Sequence, residues 1–123
     1  MKNINDLLIS AINMHQNGQL KDAEKSYKEI LRTNSKEYTA LRHLGMIYQS
    51  QGKLAKALNL FQKALKEGKK LPDCYNNIGT IYFDQGNDRL AEEWFKKSLA
   101  INEEYSPALN NISHLYAKNL DKE

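Results

Sequence analysis

The chain has 123 residues, a length that suits one domain. It contains six glycines and two prolines and lacks a strand-like alternation of apolar and polar residues, so an all-α fold is favoured. Its single cysteine excludes an internal disulfide, and no apolar run approaches the roughly 20 residues that span a bilayer. The apolar segment 4–12 is interrupted by Asp6 and has no signal-peptide cleavage site after it. We therefore expect a soluble, cytoplasmic protein.

The first predicted pair of helices lies near residues 4–17 and 20–33, where apolar residues recur at helical spacing. Asn3 or Asn5 is a suitable cap for the first helix, because an asparagine oxygen accepts from a free backbone N–H. Gly18 ends that helix, since glycine tolerates the left-handed conformation that a helix terminus requires. The segment thus predicts a helical hairpin.

The second pair is predicted near residues 38–51 and 54–67, and the third near 73–85 and 88–101. A glycine separates the two helices of each pair, as in the first: Gly52 and Gly86. Both later pairs therefore predict hairpins of the same design.

A last helix is predicted from Pro107 to about residue 118, since proline suits the first turn of a helix. No second helix of a pair follows it. Its polar residues suit the wet outer side of a terminal cap: Asn110, His114 and Lys118. Residues 119–123 should fray.

A motif recurs with a period of 34 residues. The pattern Leu-x-x-Leu-Gly-x-x-Tyr at 41–48 returns as Tyr-x-x-Ile-Gly-x-x-Tyr at 75–82, and Ala-x-x-x-Phe follows each copy, at 57–61 and 91–95. Related copies begin at Leu7 and Leu109, one period outside these. Because such a period marks repeated supersecondary units that stack on one another, it dictates the architecture.

Two glycines of the motif fall in the middle of predicted helices, where glycine costs about 1 kcal/mol relative to alanine. We infer that the second helix of each hairpin approaches Gly45 and Gly79 too closely for a side chain. Ala57 and Ala91, on the opposing helices, are small for the same reason.

This period and spacing resemble the tetratricopeptide repeat family over nearly the whole chain, most strongly in the middle two copies. The resemblance implies an all-α, right-handed α-solenoid of three helix-turn-helix hairpins and one capping helix, seven helices in a single domain. The expected bounds are about 4–37, 38–71 and 72–105 for the repeats and about 106–119 for the capping helix, within a domain 1–123.

The resemblance also implies a concave groove lined by the first helix of each hairpin. The frame places ten candidate peptide-binding residues there: Arg42, His43, Met46, Asn76, Asn77, Thr80, Phe83, Asn110, Asn111 and His114. Asn77 and Asn111 are one period apart, and a primary amide can bind a peptide bond through its donor and its acceptor. This is similar to the asparagine ladder of the repeat superhelix attached to protein glycosyltransferases, although His43 departs from it. Alternatively, both asparagines hydrogen-bond between adjacent helices.

Nothing in the sequence has the pattern of catalytic chemistry. The glycines are isolated, one cysteine does not build a structural zinc site, and no serine has a recognisable base near it. The histidines, His15, His43 and His114, belong to three different repeats, so we expect surface or groove positions for them rather than a metal site. We therefore predict no catalytic residue, no metal and no cofactor.

Charge is distributed unevenly along the chain. Residues 38–71 contain seven Lys or Arg against one Asp or Glu, whereas residues 72–105 contain three against seven. Such asymmetry can steer a partner or favour contact between two copies of the chain, or it belongs to a solvated outer face. Nucleic acid is not expected, because lysine far outnumbers arginine there and most of these lysines lie away from the groove.

The leading interpretation is a non-enzymatic protein-interaction module, a scaffold or adaptor that binds a peptide or partner segment in its groove. The alternative is the N-terminal repeat portion of, or a self-associating accessory to, a larger bacterial enzyme such as a glycosyl- or sulfotransferase. The expected partner is a protein or peptide, with homo-oligomerisation possible and with no nucleic acid and no membrane involved.

Overall fold

The computed structural model describes residues 3–68 and 70–120. Seven α-helices account for most of them: α1 Ile4–Gln16, α2 Leu20–Thr33, α3 Tyr38–Ser50, α4 Leu54–Glu67, α5 Pro72–Asp84, α6 Asp88–Ile101 and α7 Ser106–Leu120. The described ranges contain no β-strand, and none of their helices has the length and apolar character needed to cross a membrane. The predicted all-α class, with three hairpins and a seventh helix, is confirmed.

The helix ends follow the predicted local signals. The Asn3 side chain accepts a hydrogen bond from the Asp6 backbone N–H at 2.8 Å, so Asn3 rather than Asn5 caps α1. Gly18 has φ +80°, the left-handed value expected just after a helix. The last helix extends to Leu120, past its predicted end, and the fraying expected of 121–123 concerns residues outside the described ones.

The helices fall into two compact units, α1–α4 and α5–α7. In the first, each hairpin pairs its own two helices, and α3 also packs against α2. In the second, α7 contacts both α5 and α6, so it covers apolar surface of the preceding hairpin as a capping helix should. That the whole chain acts as one domain, 1–123, remains a prediction.

The core of each unit contains the bulky residues of the repeat. In the first unit, fully buried large side chains include Tyr27, Ile30, Ile47 and Phe61. In the second, Ala91, Phe95, Ile112 and Leu115 form the centre of the core. Burying a large apolar side chain contributes about 1.5–3 kcal/mol, so these residues dominate the stability of the hairpins.

The mid-helix glycines lie where the two helices of a hairpin approach most closely. A Cβ added to Gly45 would lie 2.8 Å from the Phe61 ring, and one added to Gly79 would lie 2.5 Å from the Phe95 ring. Both distances are well inside the 3.5–4.0 Å of ordinary carbon contacts. The inference that close packing requires these glycines is therefore confirmed.

A buried side-chain hydrogen bond ties the third hairpin together. The Ser98 hydroxyl on α6 is fully buried and donates to the backbone carbonyl of Pro72 at 2.7 Å. Because Pro72 begins α5, the bond fixes the start of α5 against α6 and therefore positions the helix that carries four of the ten candidate residues.

Candidate functional site

The ten predicted residues form two groups, one on each compact unit. Arg42, His43 and Met46 lie on α3 of the first unit and are all half-buried. The other seven lie on α5 and α7 of the second unit: Asn76, Asn77, Thr80, Phe83, Asn110, Asn111 and His114.

An asparagine pair joins α5 to α7. The Asn111 side-chain N–H donates to the side-chain oxygen of Asn76 at 2.9 Å. Asn76 is 5% exposed, so it supports Asn111 from beneath and its side chain is not at the surface. Of the two interpretations open for the asparagines, hydrogen bonding between adjacent helices therefore applies to Asn111, with Asn76 rather than Asn77 as its partner.

A pocket of about 180 Å³ opens beside this pair. Four of the predicted residues line it, together with two others: Thr80, Phe83, Asn111 and His114, with Asp84 and Phe95. The two aromatic rings supply an apolar floor, and Phe95 belongs to the buried core. We call this the α5–α7 pocket.

The rim of the α5–α7 pocket carries three polar side chains of different kinds: the Asp84 carboxylate, the Asn111 amide and the His114 imidazole. Asp84 and His114 are exposed and form no hydrogen bond or ion pair with the described residues. The remaining donor and the acceptor of the Asn111 amide are likewise unused there. The pocket can thus accept and donate hydrogen bonds and can bind a positive charge.

Two helix α7 residues predicted at the surface have different surroundings. Asn110 is exposed and lies outside the pocket lining. Lys118 instead forms an ion pair with Asp88 at 3.1 Å, and its ammonium lies 4.8 Å from the centroid of the Phe83 ring. Lys118 therefore covers part of Phe83 and links α7 to the start of α6.

On the first unit, His43 belongs to an aromatic cluster. Its ring stacks on Tyr27 with centroids 5.6 Å apart, and its centroid lies 5.5 Å from that of His15. The Tyr27 hydroxyl lies 3.5 Å from His15 Nδ1. Burial lowers the pKa of His15 and raises the pKa of Tyr27 to about 12, because both rings lose water that would stabilise their charged forms.

The histidine cluster was not expected from the sequence, which places His15 and His43 in different repeats. They lie 28 residues apart, so the 34-residue period does not relate them, and only the packing of α1 against α3 brings them together. Within the described ranges, no group of three or more His, Cys, Asp or Glu residues is arranged to hold a metal ion. The cluster is a packing element of the first unit.

Phe95 was also missed as a pocket residue, because the repeat assigns it to the core. It has both roles: its ring closes against Gly79 on one side and forms part of the pocket floor on the other. Gly79 could have indicated this second role, because the absence of a side chain there lets the Phe95 ring approach α5 closely.

A family model described as tetratricopeptide repeat matches residues 36–104. Solved structures of similar fold cover nearly the whole chain. That of YrrB, a TPR protein with an unusual peptide-binding site, is 22% identical over 92% of this chain with a TM-score of 0.81. That of PcrH in complex with the chaperone binding region of PopD is 20% identical over 97% of this chain and 92% of its own, with a TM-score of 0.82.

A third similar structure belongs to an enzyme, the O-GlcNAc transferase of Thermobaculum terrenum, at 18% identity and a TM-score of 0.86 over 94% of this chain. The chain spans 23% of that protein and 58% of YrrB. At these identities the likeness concerns the fold. No curated protein matches the chain by sequence.

Proposed function

The chain belongs to the tetratricopeptide repeat family, and from this premise we propose that it is a non-enzymatic interaction module that binds an extended segment of a partner protein. The α5–α7 pocket carries the proposal. It combines an aromatic floor with a polar rim, on which the Asp84 carboxylate, the His114 imidazole and the remaining donor and acceptor of the Asn111 amide form no hydrogen bond with the described residues. We place the module in the bacterial cytoplasm, as a scaffold or adaptor.

The size of the pocket favours a side chain of a peptide over a free small molecule. Ligand pockets typically enclose about 300–1,000 Å³, whereas the α5–α7 pocket has about 180 Å³. A single apolar side chain can occupy such a volume on the floor formed by Phe83 and Phe95. The remainder of the ligand then lies along the surface, as an extended peptide does.

The polar rim defines the chemistry of that peptide. The Asn111 amide keeps one donor and its acceptor available after bonding to Asn76, and these two groups match the carbonyl and the N–H of a peptide bond. The Asp84 carboxylate favours a lysine or arginine beside the buried apolar residue. We therefore propose a segment in which an apolar residue is followed or preceded by a basic one.

Similar structures support this class of partner. YrrB is described as having a peptide-binding site, and PcrH was solved with a region of its partner PopD bound. On the first unit, the half-buried side chains of Arg42, His43 and Met46 remain predicted contacts for a partner peptide.

The test uses a substitution that fills the α5–α7 pocket with a larger side chain. Peptides are selected against the wild-type protein from a displayed random library, and their affinity is measured by calorimetry for wild type and for Thr80→Arg. Thr80 lines the pocket, and arginine is a good helix former, so the variant fills the pocket without breaking α5. We expect an affinity loss of at least about tenfold, or about 1.4 kcal/mol.

The matched control is Ser113→Arg, which adds the same group at an exposed position on α7 outside the pocket lining. It should bind the selected peptides as wild type does. Equal affinities for wild type and Thr80→Arg would refute a role for the pocket, and failure to select any peptide would count against the function itself.

A second candidate function is the repeat portion of, or a self-associating accessory to, a larger transferase. The observation in its favour is the likeness to the O-GlcNAc transferase, of which the chain spans 23%. Finding a catalytic domain encoded next to this segment in the gene would support the first possibility, that the chain is part of a larger enzyme. Sedimentation at low and high salt decides the second, since contacts between oppositely charged repeats weaken as salt screens them.

A further inference from the structure

The first unit has a surface rich in lysine that the proposed function does not use. Six lysines lie around two open pockets, one of about 460 Å³ between α3 and α4 and one of about 430 Å³ between α2 and the α3–α4 turn. All six are exposed, and together they form the basic face: Lys21, Lys25, Lys28, Lys53, Lys56 and Lys63. Glu24 is the acidic side chain among the residues that line the two pockets.

Three lysines of the basic face converge on one ring. The ammonium groups of Lys28, Lys53 and Lys56 lie 5.8, 5.5 and 5.7 Å from the centroid of Tyr48. They are therefore within about one Debye length of one another, which is about 10 Å at 0.1 M salt. Like charges held this close repel, and a bound anionic group would relieve the repulsion.

The protein itself offsets part of this charge, because Glu24 attracts both Lys28 and Lys53 and the Tyr48 ring attracts all three ammonium groups. Lys28 pairs with Glu24 at 2.8 Å, and hydrogen bonding from Lys28 is the main reason that the pKa of Glu24 lies below its ordinary value. Lys53 and Lys56 form no ion pair with another residue of the described ranges. Two cations beside an open pocket thus remain available to a carboxylate from outside.

The pocket between α3 and α4 adds an apolar requirement. Leu44, Tyr48 and Leu60 line it, and the side chains of Lys56 and Lys63 stand at its edge. A nucleic-acid backbone has no apolar group to place there, and Tyr48, only 8% exposed, offers no face on which a base could stack. An acidic protein segment with a bulky apolar side chain satisfies both the charge and the pocket.

We propose that the basic face is a second docking surface, which binds an acidic segment of a partner protein. One leucine or phenylalanine of that segment occupies the pocket between α3 and α4, and flanking carboxylates pair with Lys53 and Lys56. The surface lies entirely on the first unit and does not depend on the α5–α7 pocket.

The probe is a short fluorescein-labelled peptide with a central Leu-Phe pair flanked by Asp and Glu, measured by fluorescence anisotropy. A companion peptide replaces the pair with Ala-Ala, and single-stranded oligothymidylate serves as the nucleic-acid competitor. Wild type should bind the first peptide, bind the companion at least about fivefold more weakly, and release both as salt rises.

The charge-reversal variant Lys53→Glu/Lys56→Glu should lose about tenfold or more in affinity. Lys53→Gln/Lys56→Gln should lose less, which separates loss of attraction from repulsion. The matched control, Lys36→Glu/Lys70→Glu, makes the same change of net charge at exposed lysines that line neither pocket, and it should bind as wild type does.

Several results would overturn the proposal: no binding by wild type, equal losses in the charge-reversal variant and its control, or tighter binding of oligothymidylate than of the peptide. A shift to a salt-sensitive dimer in sedimentation, abolished by Lys53→Glu/Lys56→Glu, would assign the surface to a second copy of the chain and also overturn it. Thr80→Arg should leave peptide binding to this face unchanged, so its outcome is separate from that of the proposed function.

Discussion

Replacing Gly79 by alanine adds one methyl group at the closest approach of α5 and α6. An ideal Cβ there lies 2.5 Å from both Cδ1 and Cε1 of Phe95 and 3.2 Å from Cζ. To reach an ordinary contact of about 3.5 Å, the ring or the helix must move by about 1 Å. Phe95 is 1% exposed and packs among Ala91, Ile112 and Leu115, so the ring has little room in which to move.

Two terms of opposite sign decide the outcome. Alanine in a helix interior gains about 1 kcal/mol over glycine, whereas overpacking a core costs about 1–3 kcal/mol. We therefore expect Gly79→Ala to be neutral or destabilising by up to about 2 kcal/mol. Gly79→Leu adds three more carbon atoms than Gly79→Ala, and it should destabilise the protein by at least about 1–3 kcal/mol.

The assay is urea unfolding followed by circular dichroism, with the free energy taken by linear extrapolation. Ala117→Gly measures the difference in helix propensity between alanine and glycine in the same unit, because Ala117 is exposed within α7. This variant should lower the free energy of unfolding by about 1 kcal/mol. Phe95→Leu should relieve part of the clash, so the double variant with Gly79→Ala should show a favourable coupling of about 0.5–3 kcal/mol. A Gly79→Ala protein that is about 1 kcal/mol more stable than wild type, as an exposed glycine would give, would refute the close-packing argument.

Three further predictions concern buried polar groups. Ser98→Ala removes the hydroxyl that donates to the Pro72 carbonyl and should lower the unfolding free energy by about 1 kcal/mol in the same urea assay. Asn111→Ala leaves the buried oxygen of Asn76 without its donor, so it should cost about 1–3 kcal/mol. The pKa of Tyr27 is raised from 10.0 to about 12 in the folded protein, so the Tyr27 hydroxyl ionises at a lower pH in the unfolded chain. The free energy of unfolding should therefore fall as pH rises from about 10 towards 12. Tyr27→Phe should reduce this fall.

Each of these has an outcome that would contradict it. Asn110→Ala is the control for Asn111→Ala, because Asn110 is the exposed neighbour on the same helix; equal losses for both variants would mean that the asparagine pair is not the cause. A Ser98→Ala protein with unchanged stability would show that water replaces the hydroxyl. An alkaline unfolding curve identical in wild type and Tyr27→Phe would exclude Tyr27 as the titrating group.

Local signals in the sequence were enough to place the helices. Gly18 and Asn3 act on the backbone within a few residues, and so the ends of α1 could be predicted to within one residue. The close packing at the two mid-helix glycines could also be predicted, because glycine weakens a helix and its recurrence at a fixed period indicates that a neighbouring helix leaves no room for a side chain. Family resemblance then supplied the hairpin design, which the helices confirm.

The contacts of the site were harder to predict for a physical reason. A repeat period relates equivalent positions, such as Asn77 and Asn111, but adjacent helices touch through positions that are not equivalent. Asn111 meets Asn76, 35 residues away, and His43 meets His15, 28 residues away. Neighbouring residues on a helix point about 100° apart, so an offset of one residue turns a surface amide into a buried support.

The most direct test of the interaction site is the response of backbone and side-chain amide resonances to a selected peptide, recorded by ¹H–¹⁵N NMR. We predict that the largest shifts occur at the Asn111 side-chain amide and at the backbone N–H groups of Thr80, Phe83 and Asp84. If these resonances do not move when the protein is saturated with peptide, binding in the α5–α7 pocket is contradicted.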